Sequence, residues 1–438
     1  MKSESNNLKT LYEYQTCTDT ALLSDIKDLA FHEPDLLKYI EITRTGFKFK
    51  HYTGFIPTKN YRIQVLPKIM NSGDTEESRQ NLIRILLYVF SPAGLSIPKV
   101  EIEDNVKLDI LDLIIRMYAI TLEEQILQGA YRRYIRFSEE SKFMRGKLNV
   151  VRQINRIDQS KFSVIDFRFS MDNDLNRFFA HATRYFMKVT KNRINADRLS
   201  WIDSMFHDED ISPWHHCKIN FNRLNERFRV PYIYASMILD NLVIMSGGSR
   251  NDMAMIFDMN LIFERFFAQF INKNKEAIFG DFKSEIQIQH KNNNFVYDDN
   301  IDNNENGLRS TKPDVKVFLD NNIYIFDTKY KNLNDPQIDR MKVRIDEANS
   351  IAPSDLYQMY TYSQVYNAKH TVLVFPGCDC KLSGPYIFTL KDKEKKLWIY
   401  MLKLDLHCDN WEGDLVDNFK THFTEIIKVD HQNNCTFL

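Results

Sequence analysis

Ile323-Tyr324-Ile325-Phe326-Asp327-Thr328-Lys329-Tyr330 opens with four apolar residues and then carries two opposite charges separated by one residue. A run that is apolar on both faces reads as a central strand covered from above and below. Side chains alternate along a strand, so Asp327 and Lys329 share a face with Ile323 and Ile325, where an unpaired charge is costly. Something must compensate them. The preceding segment supplies a second carboxylate, Asp314, at the head of an alternating run whose Val315, Val317 and Leu319 face the other way. A hairpin turning at Asp320-Asn321-Asn322 brings Asp314 to the same end as Asp327, thirteen positions further on.

Two carboxylates converging at a sheet edge, with a lysine two residues beyond the second, are what divalent-metal phosphodiester hydrolysis requires. The carboxylates hold Mg²⁺, which polarises the scissile phosphate and lowers the pKa of a bound water. The lysine orients that water or offsets developing negative charge. Glu264, in Leu261-Ile262-Phe263-Glu264-Arg265-Phe266-Phe267, adds a third acidic group from a neighbouring helix, so the expected metal ligands are Asp314, Asp327 and Glu264. In the helix read from Asp355 to about Tyr366, Gln358 and Tyr362 are four apart and share a face directed at the same cleft. The expected catalytic set is Asp314, Asp327, Lys329, Glu264 and Gln358. A purely structural reading takes Asp327 and Lys329 as a simple ion pair, Asp314 as a turn residue and Glu264 as the partner of a nearby cation. Asp-x-Lys alone is a weak signal. The metal-nuclease reading rests on its combination with strand context, the upstream Asp and the Gln/Tyr helix that follows.

The fold class expected around this motif is multidomain α+β, ending in an α/β nuclease-like domain over 246–438. Strand-like runs at Glu285–His290, Asp314–Leu319 and Ile323–Tyr330 precede the Asp355 helix and an apolar strand, Thr371–Phe375, the pattern of a crossover connection. Two more strands, Tyr386–Leu390 and Leu397–Leu404, and a helix near Asp414–Ile427 follow, while Asp298–Gly307 is Asn/Asp-rich and reads as an exposed loop. Upstream, Ser246-Gly247-Gly248-Ser249 is the strongest linker signal. Between 105 and 245 the apolar spacing turns to three and four, as in LDILDLIIRMYAITLEEQIL and LNRFFAHATRYFMKVT, which predicts a helical middle region. The first 104 residues mix strands near Phe47–Phe55 and Tyr61–Ile69 with one helix, Asn81–Phe90. Two basic, aromatic stretches, Tyr131–Arg136 and Met144–Lys147, suit phosphates or a partner, or else a solvated helix end and a turn.

Composition narrows the class. Hydrophobic residues at 43% and charged residues at 27% over 438 positions describe soluble globular units with more than one core. Lys+Arg at 58 against Asp+Glu at 59 gives a formal charge of −1, so contact with DNA must come from a local patch. No apolar stretch is long enough to span a bilayer and the start is polar, which predicts a cytosolic protein without a membrane partner. Six cysteines without a repeated CxxC argue against a disulfide framework, and Cys378, Cys380, Cys408 and Cys435 lack the tight spacing of an iron–sulfur site. His207, His215, His216 and Cys217 fit no standard zinc spacing. No GxxxxGK[ST], GxSxG or HExxH occurs, so the chain is no nucleotide motor and shows no sign of those hydrolase classes.

Pro313-Asp314 and Asp327-Thr328-Lys329 resemble the signature of the PD-(D/E)XK nuclease superfamily, and Gln358-x-x-x-Tyr362 resembles its RecB-like branch. The likeness extends to one family. Val65-Leu66-Pro67-Lys68-Ile69, Tyr131–Gly146 ending in Met-Arg-Gly, Asp172-Asn173-Asp174-Leu175-Asn176-Arg177, the Phe263-Glu264 helix and Asp327–Tyr330 occur in the order of McrC-type restriction subunits. This resemblance covers most of 50–376 and implies a Mg²⁺-dependent endonuclease subunit acting on double-stranded DNA. It also implies a partner, a McrB-like AAA+ GTPase ring that the N-terminal region, 1–104, docks on and stimulates, with Arg132, Arg133 and Arg145 as candidates for the stimulation. Two alternatives remain open: a non-catalytic adaptor that only activates the motor, and a stand-alone RecB-like DNA exonuclease.

Overall fold

The computed structural model describes residues 8–67, 75–90, 108–155, 160–207, 215, 219–244, 253–280, 284–288, 293–296, 309–319, 322–331, 351–377, 386–392, 394–406, 408 and 410–434. The Ser246–Ser249 linker, the 298–307 loop, Cys378, Cys380 and Cys435, and His216 and Cys217 of the weighed zinc set lie outside these residues. The chain divides into two compact units, each discontinuous in sequence: Met1–Leu8, Phe55–Arg62 and Leu95–Met255 form one, and Lys9–Gly54, Ile63–Gly94 and Ile256–Leu438 the other. The sequence reading placed its boundaries at 104 and 245, in linear order; compactness divides the first hundred residues between both units.

In the first unit the three-and-four spacing gives helices Ile110–Leu127, Asp174–Val189, Arg193–His207 and Arg229–Asp240. Asp109 and Asn173 start two of them by accepting hydrogen bonds from the free N–H groups of Asp112 and Asn176. Tyr118 is fully buried among them, its hydroxyl bonded to Thr183 at 2.7 Å. The middle region is not wholly helical, however. Arg133–Ser141 and Phe162–Ser170 pair antiparallel along their whole length, with Lys147–Leu148 added on the far side of the second strand. The first basic, aromatic stretch is therefore strand, because β-branched and aromatic residues at alternate positions suit a pleated surface. One face of this ribbon is left exposed through Tyr134, Phe167 and Phe169.

The second unit is organised by a six-stranded sheet. Its strands are β1 (Ser284–Ile288), β2 (Val315–Leu319), β3 (Asn322–Thr328), β4 (His370–Gly377), β5 (Tyr386–Thr389) and β6 (Lys396–Lys403), in the order β1-β2-β3-β4-β6-β5. β2 and β3 form the expected antiparallel hairpin, with Val315 opposite Phe326 and Leu319 opposite Asn322. β3, β4 and β6 run parallel, which requires the crossover between β3 and β4. Among the unit's helices are α1 (Met259–Lys273), α2 (Pro353–Val365), which lies in that crossover, and α3 (Trp411–Asn434). On either side of the 298–307 stretch, Asn293–Val296 and Arg309–Thr311 pair antiparallel, two short strands that the sequence pattern does not predict.

Alternation along β3 builds two different layers. Tyr324 and Phe326 meet Phe267 of α1 and Phe419 and Phe423 of α3 at ring separations of 5.3–6.1 Å. Ile325, on the opposite face, joins Met359, Tyr362 and Tyr366 of α2, Leu373 and Phe375 of β4, and Leu397 and Ile399 of β6. Each such side chain, fully buried, contributes roughly 1.5–3 kcal/mol. The strand that bears Asp327 is thus held from both sides.

Candidate functional site

The hairpin register, continued one pair beyond Val315 and Phe326, sets Asp314 opposite Asp327. Asp314 is half-buried, and its Oδ2 accepts two bonds from the next residue of the motif, from the N–H of Thr328 at 2.7 Å and from its hydroxyl at 2.7 Å. A turn residue has no reason to be held so. Asp327 is almost fully buried, and the Lys329 ammonium lies 2.5 Å from its Oδ2. Among the described residues that ammonium is the sole partner of the buried Oδ2, which has no further hydrogen bond. Lys329 in turn donates to Gln358 Oε1 at 3.0 Å, while the Gln358 amide nitrogen reaches Asp327 Oδ1 at 3.4 Å and Tyr362 Oη at 2.8 Å. Tyr362 closes the chain by donating to the Lys312 carbonyl at 3.1 Å.

Four expected residues, Asp314, Asp327, Lys329 and Gln358, therefore meet at the carboxyl end of β3. In parallel sheets this is the end where the chain leaves the ladder and side chains become available to a ligand. Glu264 stands half-buried on α1, whose Phe263 and Phe267 pack on Tyr330 and Phe326, the face of β3 opposite to Asp327. The carboxylates that bear on Asp327 are instead Asp314 and Asp355. Asp355 begins the face of α2 that continues through Gln358 and Tyr362, and it pairs with Lys331 at 2.7 Å. Its signal was present in the sequence as the i, i+3, i+7 spacing with Gln358 and Tyr362, but Asp355 also reads as an ordinary acidic residue in a first helical turn.

The electrostatics follow from burial and like charge. Burial, then the neighbouring Asp314, push the Asp327 carboxyl up to about 7, against the pull of Lys329. Burial opposes charge on Lys329 too, but Asp327 outweighs it and raises the ammonium above its ordinary value. The Tyr362 hydroxyl is raised by burial and by Asp327. Two carboxylates held together at this cost, one with a buried oxygen that has no hydrogen bond beyond the ammonium, form a hard-oxygen donor set that suits Mg²⁺. Among the described residues no group of three or more His, Cys, Asp or Glu side chains is placed to hold a metal ion, so the expected trio of Asp314, Asp327 and Glu264 does not come together. A cation here needs water or phosphate oxygens to complete its shell, which is the usual arrangement for Mg²⁺.

Comparison with known proteins gives a consistent result. The family model described as McrBC 5-methylcytosine restriction system component matches residues 47–376. No curated protein matches the chain. Among solved structures, a chain of the half-complex from the tetradecameric assembly of Thermococcus gammatolerans McrB AAA+ hexamers with bound McrC is similar in fold. It has a TM-score of 0.66 and 23% identity, over 96% of this chain and 100% of that one. A chain of the Thermococcus gammatolerans McrBC complex also matches at 26% identity and a TM-score of 0.47, over 61% of this chain and 88% of that one.

Proposed function

The chain belongs to the McrBC restriction-component family, and from that premise we propose that it is the McrC-type, DNA-cleaving subunit of a modification-dependent restriction complex. The observation that carries this reading is the convergence of Asp314, Asp327, Lys329 and Gln358 on one edge of the sheet. Asp314 and Asp327 would hold Mg²⁺. When bound, that cation supplies Lewis acidity to the scissile phosphodiester and acidifies a water. Thr328 fixes the rotamer of Asp314, and Gln358, itself held by Tyr362, fixes both Asp327 and Lys329. Lys329 keeps its proton beside Asp327 and offers it as a hydrogen bond to the attacking water or to the charge that develops on the phosphate.

The proposed partner is a McrB-like AAA+ GTPase ring, and the substrate is double-stranded DNA. The first unit supplies an apolar surface for docking, since Tyr134, Phe167 and Phe169 stand 56–70% exposed on one face of the ribbon. Among the described residues no helix is long and apolar enough to cross a membrane. The test is cleavage of modified and unmodified plasmid in Mg²⁺ by wild type and Asp327→Ala, with and without the ring subunit and GTP. Cutting by wild type alone, and only with ring and GTP, is expected. Cutting by a folded Asp327→Ala protein would reject the site; GTPase stimulation with no cutting would leave an adaptor, and cutting without the ring an exonuclease.

A further inference from the structure

The end of β3 has weak support from the sheet itself. Its ladder with β2 stops at Phe326, beyond which the β2 side is held by the Asp314 carboxylate on Thr328, and its ladder with β4 stops at Thr328, so Lys329 and Tyr330 lie past the pairing. Lys329 bonds the neighbouring strand once, from its N–H to the Val374 carbonyl at 2.8 Å, and its own carbonyl accepts the Lys331 N–H at 2.9 Å. Tyr330 is then anchored from a distant part of the chain. Its hydroxyl donates to Glu13 Oε1 at 2.6 Å across 317 positions of sequence, and its ring packs on Phe263 at 6.0 Å.

Glu13 is a carboxyl of zero exposure, a placement that proteins avoid unless the group is hydrogen-bonded and needed. The local backbone is committed to keeping it there. The Glu13 N–H bonds the Leu66 carbonyl and the Tyr14 N–H the Phe49 carbonyl, and Tyr14 adopts φ 58°, a left-handed conformation that a bulky side chain rarely takes. The turn that follows the strand Leu8–Tyr12 is thus bent so that Glu13 points inward at the residue that follows Asp327-Thr328-Lys329.

We propose that Glu13 is a positioning residue of the candidate active site: through the Tyr330 hydroxyl it fixes the end of the strand that presents Asp327 and Lys329. The proposal deepens the nuclease reading and rests on it for its catalytic consequence, whereas the anchoring itself can be tested without catalysis.

The experiment pairs hydrogen exchange of peptides covering 327–331 in the full chain with Mg²⁺-dependent plasmid cleavage by the complex. The variants are Tyr330→Phe, Glu13→Ala and Glu13→Gln. Tyr330→Phe removes one hydroxyl from a buried ring and preserves its volume. Tyr330→Phe and Glu13→Ala should exchange faster at these amides and cleave about tenfold more slowly at saturating DNA, with KM unchanged. Glu13→Gln, which retains an acceptor for the hydroxyl, should match wild type in both. Exchange that stays at the wild-type rate in Tyr330→Phe overturns the proposal, as does faster exchange with undiminished cleavage. A wild-type complex that does not cut refutes the nuclease reading instead, and the exchange rates still decide whether Glu13 holds the strand.

Discussion

Each of the two units sets a pair of aspartates, at least one of them buried, beside one cation, and the two pairs are finished differently. In the first unit Arg62 bonds Asp109 at 2.7 Å and Asp112 at 3.0 Å, the Asp112 N–H caps Asp109, and Thr190 occupies the remaining Asp112 oxygen at 2.5 Å. All four carboxylate oxygens are engaged. In the second unit Lys329 pairs with Asp327 and bonds Gln358, Gln358 also reaches Asp327, and Asp314 is held by Thr328; among the described residues one buried oxygen of Asp327 has only the lysine ammonium as its partner. Both pairs contain an aspartate pushed upward mainly by burial, to about 6 for Asp109 and about 7 for Asp327. A perturbed carboxyl therefore does not mark a site by itself; the distinction lies in whether its hydrogen-bonding capacity is used up within the protein.

Substitutions in the two pairs should divide the same way. The largest effect falls on cleavage: Asp327→Asn should reduce plasmid cutting below detection while the protein still binds its ring partner, and cutting at a normal rate would put Asp327 among the structural carboxylates. Arg62→Ala should do the reverse. It leaves two buried carboxylates without their cation and should cost about 3–5 kcal/mol, read as a lower denaturant midpoint. An unchanged midpoint would show that the closed cluster is not a stabilising one.

The pH dependence sharpens the contrast. Folding raises the Asp327 carboxyl from its ordinary 3.8 to about 7, so the folded state binds the extra proton. Its contribution to stability is complete below pH 3.8 and is lost as pH rises through about 7. Metal-free Asp327→Asn should therefore gain stability over wild type as pH is raised from 5 to 8 and show a flatter dependence in denaturant titrations. A parallel offset at every pH would contradict the upward shift. Smaller effects are expected around the site. Gln358→Ala, which frees both Asp327 and Lys329, should slow cleavage about tenfold, and Glu264→Ala less than that. An equal or larger loss for Glu264→Ala would place Glu264 in the machinery despite the packing of its helix on the other face.

The Asp314–Asp327 pair was legible because everything that places it is local. A two-residue period fixes the face, a short turn fixes the register, and a separation of thirteen positions brings the carboxylates opposite each other. Gln358 and Tyr362 were legible for the same reason, from one helical repeat. The ribbon at Arg133–Ser141 was missed because its apolar positions are interrupted by charge and flanked by strongly helical segments, so the three-residue spacing around it dominated the reading. Asp355 was visible as a residue but not as a neighbour of Asp327, since that depends on how α2 is laid across the sheet.

The sequence by itself determined the strand, the hairpin, the crossover helix and the chemistry of the residues at their ends, because periodicity and turn geometry act over a dozen positions. Tertiary structure alone decided that the first hundred residues divide between two units and that Glu13 meets Tyr330. These depend on contacts between segments hundreds of residues apart, which are selected by burial and packing of the whole unit and leave no pattern in either segment alone.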